Sequence, residues 1–427
     1  MKRIAEIASK YGRVQTIVHH INVENLKEKH KKATARKAAG VDGVTKAIYG
    51  ENLEGNLANL MERMKRQAYI PQDVKRVYIP KEGSNEKRGL GIPAYEDKLV
   101  QSIMADVLTA IYEEKFLDIS YGFRPNRSCH DAIKKLGNII EKKKVNYVVD
   151  ADIKGFFDNV DHEWMMKFLE HDIEDKNFLR LIKRFLKAGI MEEGQHIRSD
   201  VGTPQGGVIS PILANVYLHY VLDLWFEKIV RKSCKGEAYI IRYADDFVCC
   251  FQYLEEAELF YLSLGKRLKE FGLMIAENKS KIIEFDRFAE ENRSNRGGGK
   301  PDTFDFLGFT HYCSKSKNGW FRVKRKTSKK KQKTKIAKMK IWLKERMHEP
   351  LADTIKTLNK KLIGHYNYYG ITDNFRSIRT FYYITVKQLF KTLRRRTQKH
   401  KINWEKFNLI LKYLPLAQPS IRVSVYD

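Results

Sequence analysis

Residues 238–251 read AYIIRYADDFVCCF, two apolar runs joined at the acids Asp245 and Asp246. Both runs are rich in β-branched and aromatic residues, which favour strands. Two such runs separated by a short polar segment predict a β-hairpin with the acids at its tight turn. Adjacent acids at a strand end are more often solvated turn residues than members of a catalytic site. A second acidic cluster is therefore needed before a catalytic site is inferred.

That second cluster lies in residues 145–158, VNYVVDADIKGFFD, where an apolar run precedes Asp150 and Asp152. Grouped carboxylates repel each other, and a hard divalent cation such as Mg²⁺, which prefers oxygen ligands, relieves the repulsion. Two such ions clamp the attacking and leaving oxygens during phosphoryl transfer. Asp150 and Asp152 point the same way along a strand, so alternation does not choose between them.

The chain has 427 residues and 43% apolar residues, enough for ordinary packed cores. Lys and Arg number 80 against 52 Asp and Glu, for a net charge of +28. A surplus of this size indicates a polyanionic partner, with RNA or DNA first. No run of apolar residues is long enough to predict a transmembrane helix, and residues 1–13 lack the apolar segment of a secretory signal.

Most of the positive charge lies near the C-terminus. Residues 315–401 hold 27 Lys or Arg and 4 acids, which is +23 of the total. Apolar residues recur there at helical spacing, which predicts folded basic helices rather than a floppy tail; they are Ile336, Met339, Leu343 and Met347, then Ile355, Leu358, Leu362, Ile363 and Tyr366. The glycine-rich residues 290–303 predict a loop before this region.

The spacing of the five cysteines does not indicate a metal site. Cys129, Cys234, Cys249, Cys250 and Cys313 include no C-x2-C pair, and the adjacent pair lies in an apolar run whose side chains alternate between faces. We therefore expect reduced thiols, mostly buried, and no zinc.

Three blocks, VVDADIKGFFDNVDH (148–162), GTPQGGVISPILANVYLH (202–219) and IRYADDFV (241–248), resemble in order and spacing the catalytic blocks of reverse transcriptases. More narrowly, the chain resembles the reverse transcriptase and maturase proteins of bacterial group II introns. Further blocks agree with this resemblance, at residues 77–101, 120–133, 272–282, 304–309 and 358–370.

The resemblance implies an α+β fold of the right-hand polymerase type, in which fingers and an antiparallel palm sheet precede an α-helical thumb. The domains expected are an N-terminal helical extension over 1–75, fingers and palm over 76–310, and a basic helical thumb or maturase domain over 311–427. His365 and Tyr366, in the block at 358–370, are expected to belong to a thumb helix that packs against RNA rather than to act as catalysts.

The resemblance also assigns the metal site. Asp152 resembles the first metal-binding aspartate, Ile153 would lend its backbone carbonyl, and Asp245 and Asp246 resemble the second pair. Asp152, Asp245 and Asp246 are therefore the expected catalytic residues. They would hold two Mg²⁺ ions, with Mn²⁺ as a substitute.

The resemblance further implies that five residues lie at the nucleotide. Lys81 and Arg88 would contact the triphosphate, where cations neutralise charge on the leaving pyrophosphate. Phe157 would lie under the sugar and exclude a 2′-hydroxyl. Gln205 would lie along the new base pair, and Lys279 near the triphosphate.

The function implied is an RNA-directed DNA polymerase that also binds its intron RNA and assists splicing and retrohoming. Its partners would be the RNA template, the intron RNA, a DNA primer or target and deoxynucleotides, and no membrane is expected among them. The protein would be located in the bacterial cytoplasm, associated with the nucleoid or a ribonucleoprotein. The residues after Phe309 lack the metal-ligand spacing of the endonuclease that many such proteins carry, so an endonuclease-lacking form is expected.

Two alternatives stay open. One is a reverse transcriptase domesticated for phage defence, CRISPR spacer acquisition or diversity generation. The other is a splicing factor with vestigial polymerase activity, although a protein that only binds a polyanion has no need of clustered acids facing it.

Overall fold

A computed structural model of the chain describes residues 1–80, 87–192, 195–197, 201–202, 206–396 and 402–426. The helices in chain order are α1 (Lys2–Tyr11), α2 (Val23–Lys32), α3 (Lys46–Glu51), α4 (Leu53–Lys65), α5 (Tyr95–Tyr112), α6 (Cys129–Lys142), α7 (His162–Asp172), α8 (Lys176–Leu186), α9 (Ser210–Leu218), α10 (Arg231–Ser233), α11 (Leu254–Glu270), α12 (Ala289–Asn295), α13 (Lys329–Glu345), α14 (Leu351–Tyr369), α15 (Phe375–Arg394) and α16 (Trp404–Tyr413). Short 3₁₀ turns lie at Val18–His20, Phe156–Asp158 and Glu277–Lys279, and π-helical turns at His219–Asp223 and Phe226–Val230.

The strands are β1 (Val74–Pro80), β2 (Lys87–Ile92), β3 (Tyr147–Ala151), β4 (Ile190–Glu192), β5 (Gln195–Ile197), β6 (Ala238–Tyr243), β7 (Asp246–Phe251), β8 (Lys281–Glu284), β9 (Phe304–Phe306), β10 (Phe309–Lys315) and β11 (Phe321–Thr327). They form three sheets, in the orders β2-β1-β4-β5, β6-β7-β3-β8 and β11-β10-β9. Every pair is antiparallel except β1 with β4. Mixed helix and sheet with mainly antiparallel pairing agrees with the α+β expectation.

The central sheet β6-β7-β3-β8 packs against a core on each face, which is why its strands are mostly apolar. Val149 and Cys249 face a large core shared with the helices α5, α7, α8, α9 and α11. Val148 and Cys250 face a second core shared with α6, β9 and β11. The adjacent cysteines therefore point to opposite faces, as expected, and all five cysteines are free thiols.

The N-terminal residues are mainly helical, as predicted. Side chains that accept hydrogen bonds from the first turn begin two of these helices. Asn22 accepts from the backbone N–H of Asn25 at α2, and Thr45 accepts from that of Ile48 at α3.

The basic C-terminal region begins with strands. The expected boundary at residue 311 falls inside β10, and the first helix after it, α13, begins at Lys329. The strands are held there because β9 and β11 close the second core through Phe304, Phe306 and Val323. The domain division itself stays a prediction.

The helices α13 to α16 have a core of their own, and the periodic residues supply much of it. Met339, Leu343, Ile355, Leu358, Leu362 and Tyr366 are buried in it. Ile363 is 40% exposed, because it lies about 100° round the helix from Leu362. Within the described part of the chain, no helix is both long and apolar enough to cross a membrane.

Candidate active site

The acids Asp245 and Asp246 lie at the turn of the hairpin formed by β6 and β7. Tyr243 pairs with Asp246 across the hairpin, which leaves Ala244 and Asp245 as a two-residue turn. Ala244 has φ of +57°, and positive φ is typical of turns whose twist matches that of the strands. The predicted hairpin is confirmed.

A buried ion pair supports this turn from below. Arg242 is fully buried, and its guanidinium donates to both carboxylate oxygens of Asp223 at 2.7 and 2.5 Å. Its remaining nitrogen donates to the Asn215 side chain and to the carbonyl oxygen of Ala244, both at 2.9 Å. A buried arginine is stable only when its charge and donors are satisfied, and here one of its acceptors is the turn itself.

The segment around Gly122 packs directly against the turn. A Cβ on Gly122 would lie 2.3 Å from the backbone nitrogen of Ala244, so only glycine fits there. The Asn215 amide donates to the Gly122 carbonyl at 2.7 Å. Sequence analysis missed Arg242, Asp223 and Asn215 as supporting residues. The available signal was Arg242 itself, the single basic residue in an apolar strand.

Asp152 follows directly after β3, whose neighbour in the sheet is β7. Its carboxylate forms an ion pair with Lys279 at 2.7 Å. Its backbone N–H donates to the Ser280 hydroxyl at 3.3 Å, and its carbonyl accepts from the N–H of Ala276 at 2.8 Å. These contacts attach the residue to the segment that leads into β8.

Ile153 forms a β-bridge with Ile275, and both hydrogen bonds of the bridge run through flanking residues. Lys154 donates to Met274, and Ala276 donates to Asp152, each at 2.8 Å. The bridge therefore does not use the carbonyl of Ile153.

The three acids influence each other electrostatically. Burial raises the pKa of Asp245, and the negative charge of Asp152 raises it further, while Arg88 and Arg242 oppose the rise. Desolvation raises the pKa of Asp246 to about 6, and the negative charges of Asp245 and Asp152 contribute to this rise. The Asp246 side chain nevertheless keeps contact with solvent. Crowded carboxylates of this kind are suited to a divalent cation.

Asp150, the alternative that alternation left open, lies inside the sheet. It pairs with Val248 on β7 and Lys281 on β8. Burial raises its pKa to about 7.

The acids of the hairpin open into a cleft of about 780 Å³ between the central sheet and the helices α13, α14 and α15. Its acidic side holds Asp245 and Asp246, and its basic side holds Lys331, Lys335 and Lys338 on α13. Aromatic and apolar side chains complete the lining, among them Phe123, Phe157, Met339, Trp342, Tyr368 and Phe381. A cleft with acids on one wall and lysines on the other has room for a polyanion and for cations beside it.

The expected nucleotide residues are placed as follows. Phe157 and Arg88 line the cleft, and Lys279 reaches Asp152. Lys81 and Gln205 lie outside the described residues.

Two side chains from the block at 358–370 pack within the protein, and their expected packing against RNA stays a prediction. His365 is nearly buried at the cleft wall and stacks on Phe381 with ring centroids 3.9 Å apart. Burial lowers its pKa to about 4. The Tyr366 hydroxyl donates to the Ala417 carbonyl at 3.0 Å.

No three carboxylate, imidazole or thiolate groups among the residues that the structure describes lie close enough to hold one ion as they stand. Asp152 is paired with Lys279 instead. The chemistry of the donor set still fits a hard cation, because three carboxylates and a carbonyl are all oxygen ligands.

Comparison with known proteins agrees with this geometry. The sequence model of the family "Reverse transcriptase (RNA-dependent DNA polymerase)" matches residues 79–311, more than half of the chain. The group II intron-encoded protein LtrA of Lactococcus lactis subsp. cremoris is 42% identical over 188 residues, which cover 42% of this chain and 31% of LtrA. Protein YkfC of Escherichia coli is 36% identical over 238 residues, which cover 49% of this chain and 62% of YkfC.

A plant relative, the mitochondrial nuclear intron maturase 2 of Arabidopsis thaliana, is 29% identical over 179 residues, which cover 32% of this chain and 24% of the relative. The chain thus spans less than two thirds of the length of each of these relatives. The matched family segment begins within β1, ends within β10 and contains Asp152, Asp245 and Asp246. The chain belongs to the reverse transcriptase family of RNA-dependent DNA polymerases.

Proposed function

We propose that this protein is an RNA-directed DNA polymerase that works by a two-metal mechanism. The observation that carries the proposal is the cleft in which the acids of the β6–β7 turn face the lysines of α13. Nucleotidyl transfer needs carboxylates for cations and a basic wall for the nucleic acid, and the cleft offers both.

Asp152, Asp245 and Asp246 would hold two Mg²⁺ ions, with Mn²⁺ as a substitute, and the carbonyl of Ile153 would complete the ligand set. When bound, the ions polarise the phosphoryl oxygens and stabilise the charge that develops on them. Lys279 must leave the carboxylate of Asp152 when that carboxylate becomes a ligand. Its ammonium would then neutralise the triphosphate, a role that we also assign to Arg88 and Lys81. We also assign Gln205 to the nascent base pair.

Phe157 would select deoxynucleotides. Phe156 and Phe157 contact each other edge to face, with centroids 5.4 Å apart. Phe156 points into the core against Tyr217, whereas Phe157 reaches the cleft. A ring fixed in this way by its neighbour gives a rigid surface beneath the sugar, with no room for a 2′-hydroxyl.

We further propose the right-hand arrangement, with the central sheet as palm, the sheet β2-β1-β4-β5 as part of the fingers and α13 to α16 as thumb. The thumb would also grip folded intron RNA and assist splicing and retrohoming. Two relatives support this role, because LtrA is named as a group II intron-encoded protein and the plant relative as an intron maturase. The concentration of positive charge in residues 315–401 also supports it. Tighter binding to folded than to unfolded RNA shifts the RNA population toward the fold. The protein would act in the bacterial cytoplasm.

Primer extension on an RNA template with Mg²⁺ and deoxynucleotides tests the polymerase. We compare the wild type with Asp245→Asn, and use Asp353→Asn, an exposed acid on α14, as the matched control. Full-length DNA from the wild type and control, with none from Asp245→Asn, supports the proposal. Activity that survives in Asp245→Asn would contradict the metal assignment. Inactivity of all three proteins with salt-sensitive RNA binding intact would favour the splicing factor.

A further inference from the structure

A second pocket lies outside the active-site cleft and shares none of its lining residues. It has a volume of about 260 Å³ and lies between α4, the 3₁₀ turn Val18–His20 and α8. Its floor is apolar, formed by Val18, Ile21, Met61, Met64 and Leu181. The polymerase mechanism uses none of these side chains.

The walls of this pocket are held in place by hydrogen bonds. One carboxylate oxygen of Asp175 accepts from the backbone N–H groups of Ile17 and Val18 at 2.7 and 2.8 Å. The other oxygen accepts from the first turn of α8. Arg184 on α8 donates to the carbonyls of Tyr69 and Gln67 at 2.5 and 2.8 Å. The pocket therefore exists before a ligand arrives, which lowers the entropic cost of binding.

A stripe of cations runs along α8 beside the pocket. Lys176, Arg180, Lys183 and Lys187 are spaced four, three and four residues apart, which places them on one face of the helix. All four are exposed, and Arg180 donates to the side-chain oxygen of Gln67, which also lines the pocket. Arg180 also lines the pocket, together with Lys65 on the opposite wall. Four like charges in a row repel each other, so a polyanion that neutralises them is favoured.

We propose that the pocket and the α8 stripe bind an unpaired nucleotide of a folded RNA, with the base in the pocket and the flanking phosphates along the stripe. The apolar floor suits a flat base that has left its stack, which is how proteins recognise RNA loops and bulges. The volume is smaller than the roughly 300–1,000 Å³ of pockets for larger ligands, and it has room for one ring system. RNA as the partner rests on the proposed function, but the site is separate from the polymerase cleft.

The test uses the full-length protein and an RNA hairpin whose loop carries 4-thiouridine, with the same stem as a blunt duplex for comparison. Met64→Trp fills the pocket, and the pair Lys183→Gln with Lys187→Gln weakens the stripe. The matched control, Lys266→Gln with Lys269→Gln, removes the same charge from exposed positions on α11. Thermal unfolding of each variant checks that it folds. Primer extension on poly(rA) with an oligo(dT) primer follows the polymerase independently.

We expect Met64→Trp to weaken hairpin binding by about tenfold, in line with the loss of one stacked base, and to leave duplex binding unchanged. The stripe variant should weaken binding of both RNAs, and the control should weaken neither to that extent. Photo-crosslinks to the thiouridine should map to α4 or α8. Primer extension should be unchanged throughout.

Wild-type hairpin affinity in both Met64→Trp and the stripe variant would overturn the proposal, as would crosslinks that map only to the cleft. Equal binding of a DNA hairpin in the pocket would overturn the assignment to RNA. Failure of the proposed polymerase function can be distinguished from failure of the RNA pocket. In that case the wild type would lack primer extension, while the crosslinks to α4 or α8 would persist.

Discussion

The guanidinium of Arg242 donates a 2.9 Å hydrogen bond to the carbonyl oxygen of Ala244, the residue directly before Asp245. The same side chain is fixed by two bonds to Asp223. The position of the Asp245 carboxylate thus depends on a charge pair buried beneath the sheet, and we infer that Arg242 is a positioning residue for the proposed metal site.

Arg242→Lys should therefore impair catalysis more than nucleotide binding. A lysine cannot reproduce the fork that reaches four acceptor oxygens on three residues at once. A displacement of the acid by about 1 Å can cost about 100-fold in rate, so we expect kcat to fall by about that factor and KM for deoxynucleotides to change little. Steady-state primer extension measures both, and Arg231→Lys, at an exposed ion pair with Glu227, is the control. Wild-type kcat in a folded Arg242→Lys protein would refute the positioning role.

The crowded acids should lower the free energy of unfolding of the ion-free protein. The pKa of Asp246 is raised to about 6, above the value near 3.9 of an unfolded chain. Its ionised form therefore destabilises the fold above that pH, and the penalty disappears as the pH falls through 6 toward 4.

Asp246→Asn should accordingly have a higher Tm than the wild type in EDTA at about pH 8, and the difference should vanish near pH 4. Mg²⁺ should raise the Tm of the wild type and have little effect on the variant, because binding to the native state alone stabilises it. Differential scanning calorimetry with and without Mg²⁺ measures both effects, with Asp353→Asn as the control. An equal Mg²⁺ response in the wild type and in Asp246→Asn would argue against Asp246 as a ligand.

Phe157→Ala should relax the choice of sugar. Without the ring a 2′-hydroxyl has space, so the ratio of kcat/KM for deoxynucleotides over ribonucleotides should fall by about 100-fold. Phe123→Ala is the matched control, because Phe123 is also an aromatic residue of the cleft, exposed by 56%. Single-nucleotide incorporation gives the ratio. If Phe123→Ala shifted it equally, cleft volume in general would determine sugar selection.

The sequence allowed the hairpin, the second acidic strand end and the basic helices to be predicted, because each follows from local periodicity. Strand alternation alone could not choose between Asp150 and Asp152, since both point to one side of the strand, and it was the family resemblance that selected Asp152. In the structure the two residues are separated by strand pairing, with Asp150 between Val248 and Lys281 and Asp152 beyond the strand.

Contacts between distant residues were not predictable either. The bond from Asn215 to Gly122 spans 93 residues, and the ion pair of Lys279 with Asp152 spans 127. The start of the basic region as strands was also missed, because the burial of β9 to β11 depends on α6 and the central sheet. Such features arise from tertiary packing, which periodicity in one segment does not encode.

Neutralising Lys331, Lys335 and Lys338 together should weaken template binding in a salt-dependent way. These lysines line the cleft at helical spacing along α13, so each is placed to neutralise one phosphate. Each lost phosphate contact lowers the slope of log K against log salt by about 0.7–0.9, and the triple Gln variant should therefore lose roughly 2 from the slope. The control carries Gln at Lys329, Lys333 and Lys340, exposed positions on α13 outside the cleft lining. Fluorescence anisotropy with an RNA–DNA duplex over a salt series measures the slopes. If both triple variants lost the same amount, the cleft-facing row would have no special part in binding, and the cations of α13 would act only through their total charge.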